Sequence, residues 1–192
     1  STPTQEHCGG TTWCMVSTGG SGSSAIKTDG TLWSWGYNNQ GQLGTNNITC
    51  YSTPTQEVCG GTNWCMVSSG YFHTSAIKTD GTLWSWGSNC FAGRLGTNDA
   101  IDYSTPQQEV CGGTNWCMVS AGLRYSSAIK SDGTLWSMGN NNNGRLGTNN
   151  TTCYSKPTQE VCGGTTWCMV SADHVWIFPH TSAIKTDGTL WS

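Results

Sequence analysis

Short segments in which small and bulky side chains alternate run through the whole chain, and glycine-rich turns separate them. The clearest is Ser75–Gly87, with the sequence Ser-Ala-Ile-Lys-Thr-Asp-Gly-Thr-Leu-Trp-Ser-Trp-Gly. Asp-Gly between two β-favouring segments is a strong hairpin signal, because a two-residue type I′ turn needs positive φ at both central positions. The pattern therefore predicts a β-hairpin with a type I′ turn at Asp80 and Gly81. No window shows the 3.6-residue apolar period of a helix.

The hairpin occurs four times, and the unit that contains it repeats every 51 to 55 residues. In the unit from Trp64 to Thr114 we predict four short strands, at Trp64–Ser68, Thr74–Lys78, Thr82–Trp86 and Thr105–Val110. Four antiparallel strands in a tandem unit of this length are typical of a β-propeller blade. We therefore expect one all-β propeller segment over residues 1–192. Its repeats span approximately 1–51, 52–103, 104–154 and 155–192.

The hairpin followed by the loop Asn38–Gly44 closely resembles the regulator of chromosome condensation repeat, and Gly93–Gly96 and Gly144–Gly147 are the matching loops. The resemblance implies a seven-bladed β-propeller, whereas about 3.7 repeats are present here. We therefore expect a longer repeat chain or a ring that another copy completes. The founding member of the family is a nuclear guanine-nucleotide exchange factor that contacts chromatin, so an intracellular exchange-factor-like regulator is one candidate function.

Charge argues against nucleic acid as a partner, because chromatin binding needs a basic patch. Only 10% of the residues are charged, and eight Lys and Arg residues accompany a net charge of −3. The sequence also contains no apolar run near the ~18 residues that span a membrane. We therefore expect neither nucleic-acid binding nor a membrane span.

The cysteines occur with a regular spacing that favours disulfides, and disulfides are typical of an oxidising compartment. Structural zinc and buried free thiols are the alternatives, although zinc ligands usually have a shorter spacing. We also expect Cys153 to pair with a cysteine just beyond Ser192. The predicted pairs are Cys8–Cys14, Cys59–Cys65, Cys111–Cys117, Cys162–Cys168 and the blade-to-blade pair Cys50–Cys90.

Catalytic motifs are missing from the sequence. It contains no glycine-rich phosphate loop, nucleophile elbow or paired carboxylates. The four histidines share no position in the repeat. We therefore expect a protein that is not an enzyme and that has no catalytic residue, cofactor or metal.

Differences among the four copies indicate where a binding site lies. They concentrate in the loop after the first strand of each unit and in the long loop after the third strand. Both loops emerge at the same end of a four-stranded antiparallel blade, and binding residues tend to lie on loops over a rigid scaffold. Aromatic residues and Arg are enriched in interface hot spots. The predicted binding residues are Tyr71, Phe72, His73, Leu123, Arg124, Tyr125, Asp173, His174, Trp176, Phe178 and His180.

These observations predict a structural or binding module on a cell, virion or other particle surface, or in the extracellular space. An adhesin, a fibre subunit or an appendage subunit is the expected role, with a protein or glycan partner on the variable loops and self-association as a further option. The alternatives are the intracellular exchange-factor-like regulator and a lectin-like carbohydrate binder. A structural alternative is that the fourth-unit loop 175–179 only covers one end of the central channel or packs on a neighbouring blade.

Overall fold

The computed structural model describes residues 12–90, 92–174, 176 and 179–192. These residues form fifteen β-strands, and none of them forms a helix of the length and hydrophobicity that crossing a bilayer requires. The strands are β1 (Trp13–Thr18), β2 (Gly22–Lys27), β3 (Leu32–Gly36), β4 (Tyr51–Gln56), β5 (Trp64–Ser69), β6 (His73–Lys78), β7 (Leu83–Gly87), β8 (Tyr103–Gln108), β9 (Trp116–Ala121), β10 (Tyr125–Lys130), β11 (Leu135–Gly139), β12 (Tyr154–Gln159), β13 (Trp167–Ala172), β14 (Thr181–Lys185) and β15 (Leu190–Trp191).

The strands form antiparallel sheets in chain order, which confirms the predicted β-propeller blades. Strands β1 to β4, β5 to β8 and β9 to β12 make three four-stranded sheets, and β13 to β15 make a three-stranded sheet. The first strands of successive blades, β1, β5, β9 and β13, lie beside one another around the axis. Pro106 lies in the edge strand β8, where its missing N–H removes no hydrogen bond between strands.

The hairpin turns differ from the predicted type. Lys27 N donates to Thr31 O at 3.0 Å, and Gly30 N donates to Lys27 O at 2.9 Å. Gly30 has a φ of 78°, whereas Asp29 is not among the described residues with positive φ. The loop is therefore a type I turn with a left-handed glycine after it, and the type I′ prediction is wrong. The Asp29 carboxylate accepts hydrogen bonds from Thr31 N at 2.9 Å and Thr31 Oγ1 at 2.6 Å, which holds this longer loop closed.

Neighbouring blades pack through the same residue types at each junction, because the repeats supply the same side chains at the same positions. The buried cluster between the first two blades contains Ile26, Leu32, Trp64, Val67, Ala76 and Trp86. The cluster between the second and third blades contains Ile77, Leu83, Trp116, Val119, Ala128 and Met138. The hydrophobic core is thus a series of blade-to-blade interfaces.

A buried glutamate connects each outer strand to the next blade. Glu109 follows β8 and is only 3% exposed. Its carboxylate accepts hydrogen bonds from Cys111 N at 2.6 Å, Gly113 N at 3.0 Å and Trp116 Nε1 at 3.1 Å. Glu57 and Glu160 make the same three contacts at their junctions. These carboxylates fix the chain as it passes from one blade to the next.

The structure does not support the predicted disulfides, because every described cysteine is a free thiol. Cys50 Sγ accepts a hydrogen bond from Asn38 N at 3.3 Å, while Cys90 Sγ lies 3.2 Å from Ser88 Oγ. Each thiol of this predicted pair is thus engaged within the loop of its own blade. The pairs Cys59–Cys65, Cys111–Cys117 and Cys162–Cys168 are likewise not formed, since the second thiol of each donates to an isoleucine carbonyl of the next strand. Cys8, of the pair Cys8–Cys14, lies outside the described residues.

Candidate functional site

The variable loops lie at one end of the blades, which we call the variable-loop face. Among the described residues it comprises segments 19–21, 70–72, 122–124, 173–174, 176 and 179–180 after the first strands, and segments 37–50, 88–90, 92–102 and 140–153 after the third strands. The strand register explains their proximity, because His73 at the start of β6 pairs with Gly87 at the end of β7. The Asp-Gly and Gly-Gly turns lie at the opposite end, which we call the invariant-turn end.

An asparagine holds each long loop in shape. Asn89 Nδ2 donates to Thr97 Oγ1 at 3.0 Å and to Asp99 O at 3.1 Å, while its Oδ1 accepts from Leu95 N at 2.9 Å. Asn38 and Asn141 bind the same loop positions in the first and third blades. The variable-loop face is therefore a set of braced loops on a rigid scaffold.

Three aromatic rings and one guanidinium meet on this face and form what we call the aromatic cluster: Tyr71, Phe72, Trp176 and Arg124. The ring centroids of Tyr71 and Trp176 are 5.4 Å apart, and those of Phe72 and Trp176 are 6.3 Å apart. The Arg124 guanidinium lies 5.2 Å from the Trp176 ring centroid. The cluster unites loops from the second, third and fourth blades, and Trp176 remains 55% exposed.

The fourth-blade loop reaches across to the second blade. His174 Nε2 lies 3.2 Å from the carbonyl oxygen of Ser69, and Trp176 packs edge-on against Tyr71 and Phe72. The described residues of this loop thus contact the second blade, and Trp176 still presents an exposed aromatic surface. Phe178, another predicted binding residue, lies outside the described residues.

His73, predicted as a binding residue, is instead buried at the start of β6 and only 1% exposed. Ser126 Oγ donates to Arg94 O at 3.1 Å, so His73 Nε2 is the donor in its 2.8 Å hydrogen bond with Ser126 Oγ. His73 Nδ1 has no hydrogen-bond partner among the described residues. Burial, with smaller contributions from the positive charges of Arg94 and His174, holds the pKa of His73 well below 6.5. His73 is therefore a neutral histidine that packs in the interior.

Leu123 and Tyr125 are also interior residues, at 2% and 0% exposure, and so do not belong to the binding surface. The Tyr125 hydroxyl donates to His180 O at 2.5 Å and accepts from Asp173 N at 2.8 Å. Burial raises its pKa. Asp173 Oδ2 lies 3.5 Å from His180 Nδ1. These contacts close the base of the fourth-blade loop, which gives Tyr125, Asp173 and His180 a positioning role.

Sequence reasoning missed two arginines in the Gly-Arg-Leu-Gly loops. Arg94 is only 2% exposed, and its guanidinium donates to Leu123 O at 3.1 Å and to Cys90 O at 2.9 Å. The Arg145 guanidinium lies 5.7 Å from the Tyr125 ring centroid. The first blade has Gln42 at this position. That Gln-to-Arg difference between repeats is the sequence signal that marks these residues.

A cavity of about 370 Å³ lies between the third and fourth blades, beside Leu146, Gly147 and Trp167. At the matching position between the first two blades, Trp86 packs against Gly44, whose added Cβ would lie 2.9 Å from Trp86 Nε1. The cavity therefore occupies a blade-packing position, and we assign it no ligand.

A family model for the regulator of chromosome condensation (RCC1) repeat matches residues 29–77, 80–129 and 132–172, which together make up most of the chain. The chain belongs to the RCC1 repeat family. A second RCC1 repeat model matches residues 67–92. The resemblance inferred from the hairpin and the Gly-Gln-Leu-Gly loop is therefore confirmed.

Several proteins share this repeat with the chain. The ultraviolet-B receptor UVR8 of Arabidopsis thaliana is 31% identical over 147 residues, which cover 76% of this chain and 33% of the receptor. The RCC2 homolog of Xenopus laevis is 31% identical and covers 72% of this chain and 27% of that protein. The human E3 ubiquitin-protein ligase HERC2 is 28% identical over 84% of this chain but only 4% of the ligase. The chain thus spans a third or less of these RCC1-repeat relatives.

Solved structures share the fold. Prp20p from Saccharomyces cerevisiae superposes with a TM-score of 0.82 at 20% identity, covering 98% of this chain and 47% of Prp20p. Human WBSCR16 gives a TM-score of 0.80 at 20% identity, covering 95% of this chain and 46% of that chain. At this identity the similarity concerns the RCC1-type propeller fold alone.

Family membership corrects the predicted biological setting. UVR8 and the RCC2 homolog are intracellular regulators, and nothing in the similarities found supports an adhesin, a fibre or an appendage subunit. The predictions of that role and of an extracellular or particle-surface location are therefore wrong. They depended on reading regular cysteines as disulfides, and the described cysteines are free thiols. The comparisons also give no support to a glycan partner, and the ligase relatives show no enzymatic activity for this RCC1-repeat chain.

Proposed function

We propose that this RCC1-repeat propeller is a non-enzymatic protein-binding module of an intracellular regulator, and that its partner binds the variable-loop face through the aromatic cluster. The observation that carries the proposal is Trp176, which is 55% exposed although it belongs to a cluster built from three blades. A braced, exposed tryptophan with an adjacent arginine has the composition of an interface hot spot.

Relatives support a protein as the partner class. The yeast structure with the same fold is described together with the binding of Prp20p to Gsp1p and histones, and a further structure has Kap60 bound to yeast RCC1. These three proteins give a defined panel of first candidates. Because the identity to Prp20p is 20%, the panel tests a class of partner rather than a specific one.

The test is binding of the 192-residue chain to purified Gsp1p-type GTPase, histones and importin-type Kap60, with wild type compared with Trp176→Ala. We expect Trp176→Ala to weaken binding of the true partner at least about tenfold, since hot-spot truncations cost about 2 kcal/mol or more. Trp191→Ala is the matched control, because Trp191 is 46% exposed and lies outside the aromatic cluster. Equal binding by wild type and Trp176→Ala, or equal loss in the control, would contradict the proposal.

Photocrosslinking with the same proteins tests where the partner binds. A photocrosslinking residue at position 176 should label the partner, whereas one at the exposed Val110 of the invariant-turn end should not.

The exchange-factor alternative is tested by following the release of labelled GDP from the GTPase in the presence of the propeller. Accelerated release would assign exchange activity to the propeller and would overturn the non-enzymatic part of the proposal.

A further inference from the structure

The fourth blade has an apolar face that remains open among the described residues. The leucine that begins the third strand is at most 6% exposed in the first three blades, because the following blade packs over it. Leu190, at the same position of the fourth blade, is 70% exposed. The methionine of the first strand packs on the next junction in the first three blades, whereas Met169 of the fourth blade is 53% exposed. We call the surface formed by Met169 and Leu190 the free fourth-blade face.

The first blade carries the other half of the same kind of interface. At each internal junction the following blade contributes a valine of its first strand, which is at most 5% exposed. Val16, at the same position of β1, is 64% exposed. We call the surface formed by Val16, Trp13 and Trp35 the free first-blade face. The two free faces thus correspond to the two halves of the cluster that joins neighbouring blades within the chain.

The length of the chain relative to solved propellers indicates how many copies complete a ring. The chain superposes on 47% of Prp20p and on 46% of WBSCR16. It therefore spans nearly half of a propeller of this type. Two copies have about the extent of one ring, and a head-to-tail arrangement of two copies covers both free faces of each.

We propose that two copies of this chain associate head to tail, with the free fourth-blade face of each copy packed on the free first-blade face of the other. Exposed apolar surfaces of this kind mark interaction sites. The contact continues the blade-to-blade interface that the chain already forms three times, and a head-to-tail contact ends in a closed ring when its rotation returns to the start. The inference goes beyond the proposed partner binding and does not depend on it.

The repeat pattern also provides an outer strand for the fourth blade. That blade has three described strands, with β15 at the edge of the sheet, whereas the other blades have four. Ser1–Glu6 lies outside the described residues, and its sequence is identical to that of Ser52–Glu57, which includes most of the outer strand β4. Outer strands precede the first strand of the following blade. In the proposed pair, Ser1–Glu6 of one copy therefore pairs with β15 of the other.

A backbone hydrogen bond supports this placement of the segment. Asn98 N in the long loop of the second blade donates to Ser155 O in the outer strand of the third blade at 2.8 Å. Asn149 N, the equivalent donor in the third blade, has no acceptor among the described residues. Ser1 is the counterpart of Ser155 in the repeat, so its carbonyl oxygen in the second copy becomes the acceptor for Asn149 N.

Sedimentation equilibrium of the 192-residue chain tests the association. We expect the average mass to rise towards twice the 20.5 kDa of one chain as the concentration increases. The concentration should extend from about 1 μM to about 200 μM, which covers dissociation constants typical of weak and moderate dimers. The mass of a single chain over this whole range would overturn the proposal. A mass that keeps growing beyond two chains would contradict the closed pair.

Val16→Asp and Leu190→Asp test the two faces separately. Both side chains are exposed in the single chain, so each variant should fold, but each places a carboxylate in the apolar contact. We expect each to weaken association at least about tenfold. Val110→Asp is the matched control, because Val110 is 50% exposed and belongs to neither free face. It should change association less than about twofold, and a loss equal to that in Val16→Asp would refute the assignment.

A mixture of the two variants distinguishes head-to-tail contact from contact between identical faces. Val16→Asp keeps an intact free fourth-blade face, and Leu190→Asp keeps an intact free first-blade face. The mixture can therefore form one unaltered junction, and we expect it to associate more strongly than either variant alone. A mixture that associates no better than the separate variants would exclude the head-to-tail arrangement.

Gly188 provides a backbone test of the same junction. An added Cβ at Gly30, Gly81 or Gly133 would lie 2.1 Å from a carbonyl oxygen of the next blade, whereas Gly188 has nothing within 4 Å. In the head-to-tail pair the second copy approaches Gly188, so Gly188→Ala should weaken association about tenfold. In the dissociated chain the same substitution acts on a turn with open space around it. Association that Gly188→Ala leaves unchanged would contradict a junction of the blade-to-blade type.

Discussion

The two ends of the blades place their charges differently. At the invariant-turn end every hairpin lysine is held by two tryptophans, as in the second blade, where Lys78 Nζ lies 4.8 Å from the Trp64 ring and 4.2 Å from the Trp84 ring. The Asp80 carboxylate there accepts from Thr82 N at 3.0 Å and Thr82 Oγ1 at 2.6 Å. At the variable-loop face the arginines have no carboxylate partner among the described residues.

This difference agrees with a structural role for the invariant-turn end and with the partner binding proposed for the variable-loop face. At the invariant-turn end the Lys–Trp contacts and the Asp–Thr hydrogen bonds recur in every hairpin. They engage the charged groups within the blade, so few of these groups remain for a partner to bind. The variable-loop face carries an exposed tryptophan and arginines that form no ion pair among the described residues. Substitutions at the invariant-turn end should therefore lower stability most, and those on the variable-loop face should mainly change binding.

The largest effect is expected at the hairpin glycines. Gly133 has a φ of 77°, and an added Cβ would lie 2.1 Å from the carbonyl oxygen of Thr165 in the next blade. Gly133→Ala should lower the free energy of unfolding by about 4 kcal/mol, because backbone must move to relieve both strain and overlap. Gly188 is the matched control, with a φ of 83° and nothing within 4 Å of an added Cβ. Gly188→Ala should cost only about 1–2 kcal/mol.

Urea unfolding of both glycine variants measures the difference. If Gly133→Ala and Gly188→Ala lower stability equally, the close approach of blades at the turn contributes nothing. The comparison between the two ends would then lose its structural basis.

Loss of a glutamate at a blade junction should have the next largest effect. Glu109→Ala leaves Cys111 N, Gly113 N and Trp116 Nε1 without their acceptor in a site that is 3% exposed. We expect a loss of about 3 kcal/mol, because unsatisfied buried donors are costly. Gln107→Ala, two residues earlier, is the control and should cost less than about 1 kcal/mol. Equal stability of Glu109→Ala and wild type in urea unfolding would refute the role of Glu109.

The repeated parts of the molecule could be predicted from the sequence, and the reason is physical. Asp-Gly, Trp and the apolar residues of the strands recur at fixed positions, so each local signal is given four times and agrees with the others. The turn type was wrong because the Asp-Gly rule does not specify loop length, which Lys27 and Thr31 set by pairing. The two variable-loop sets were correctly placed together because strand order determines which loops share an end.

Single residues on the variable-loop face could be predicted only in part. His73, Leu123 and Tyr125 stand beside exposed loop residues in the sequence, but they lie next to strand starts and turn inward. Arg94 and Arg145 occur in a loop that looks like scaffold, and only the tertiary fold brings them to residues 123–125. Regular cysteine spacing cannot reveal the oxidation state, which is why the predicted compartment was wrong.

The smallest expected effect is on the pH dependence of stability. It tests whether the buried His73, which begins strand β6 at the variable-loop face, destabilises the protein in acid. The pKa of His73 in the folded protein is well below 6.5, so below pH 6.5 the unfolded chain binds more protons at this residue than the folded chain. Its contribution to stability is therefore present above pH 6.5 and is lost as the pH falls below 6.5 towards the pKa of His73 in the folded protein. Asp80, at the other end, has a pKa below 3.8 and so affects stability only at more acidic pH.

The measurement is urea unfolding at pH 7.5, 6.5, 5.5 and 5.0 for wild type and His73→Gln. We expect His73→Gln to flatten the curve of stability against pH below pH 6.5. Protonated His73 would face the cation Arg94 and His174 from neighbouring elements, so nothing in its described surroundings compensates the new charge. A wild-type curve that runs parallel to that of His73→Gln over this range would show that the buried histidine does not control acid stability.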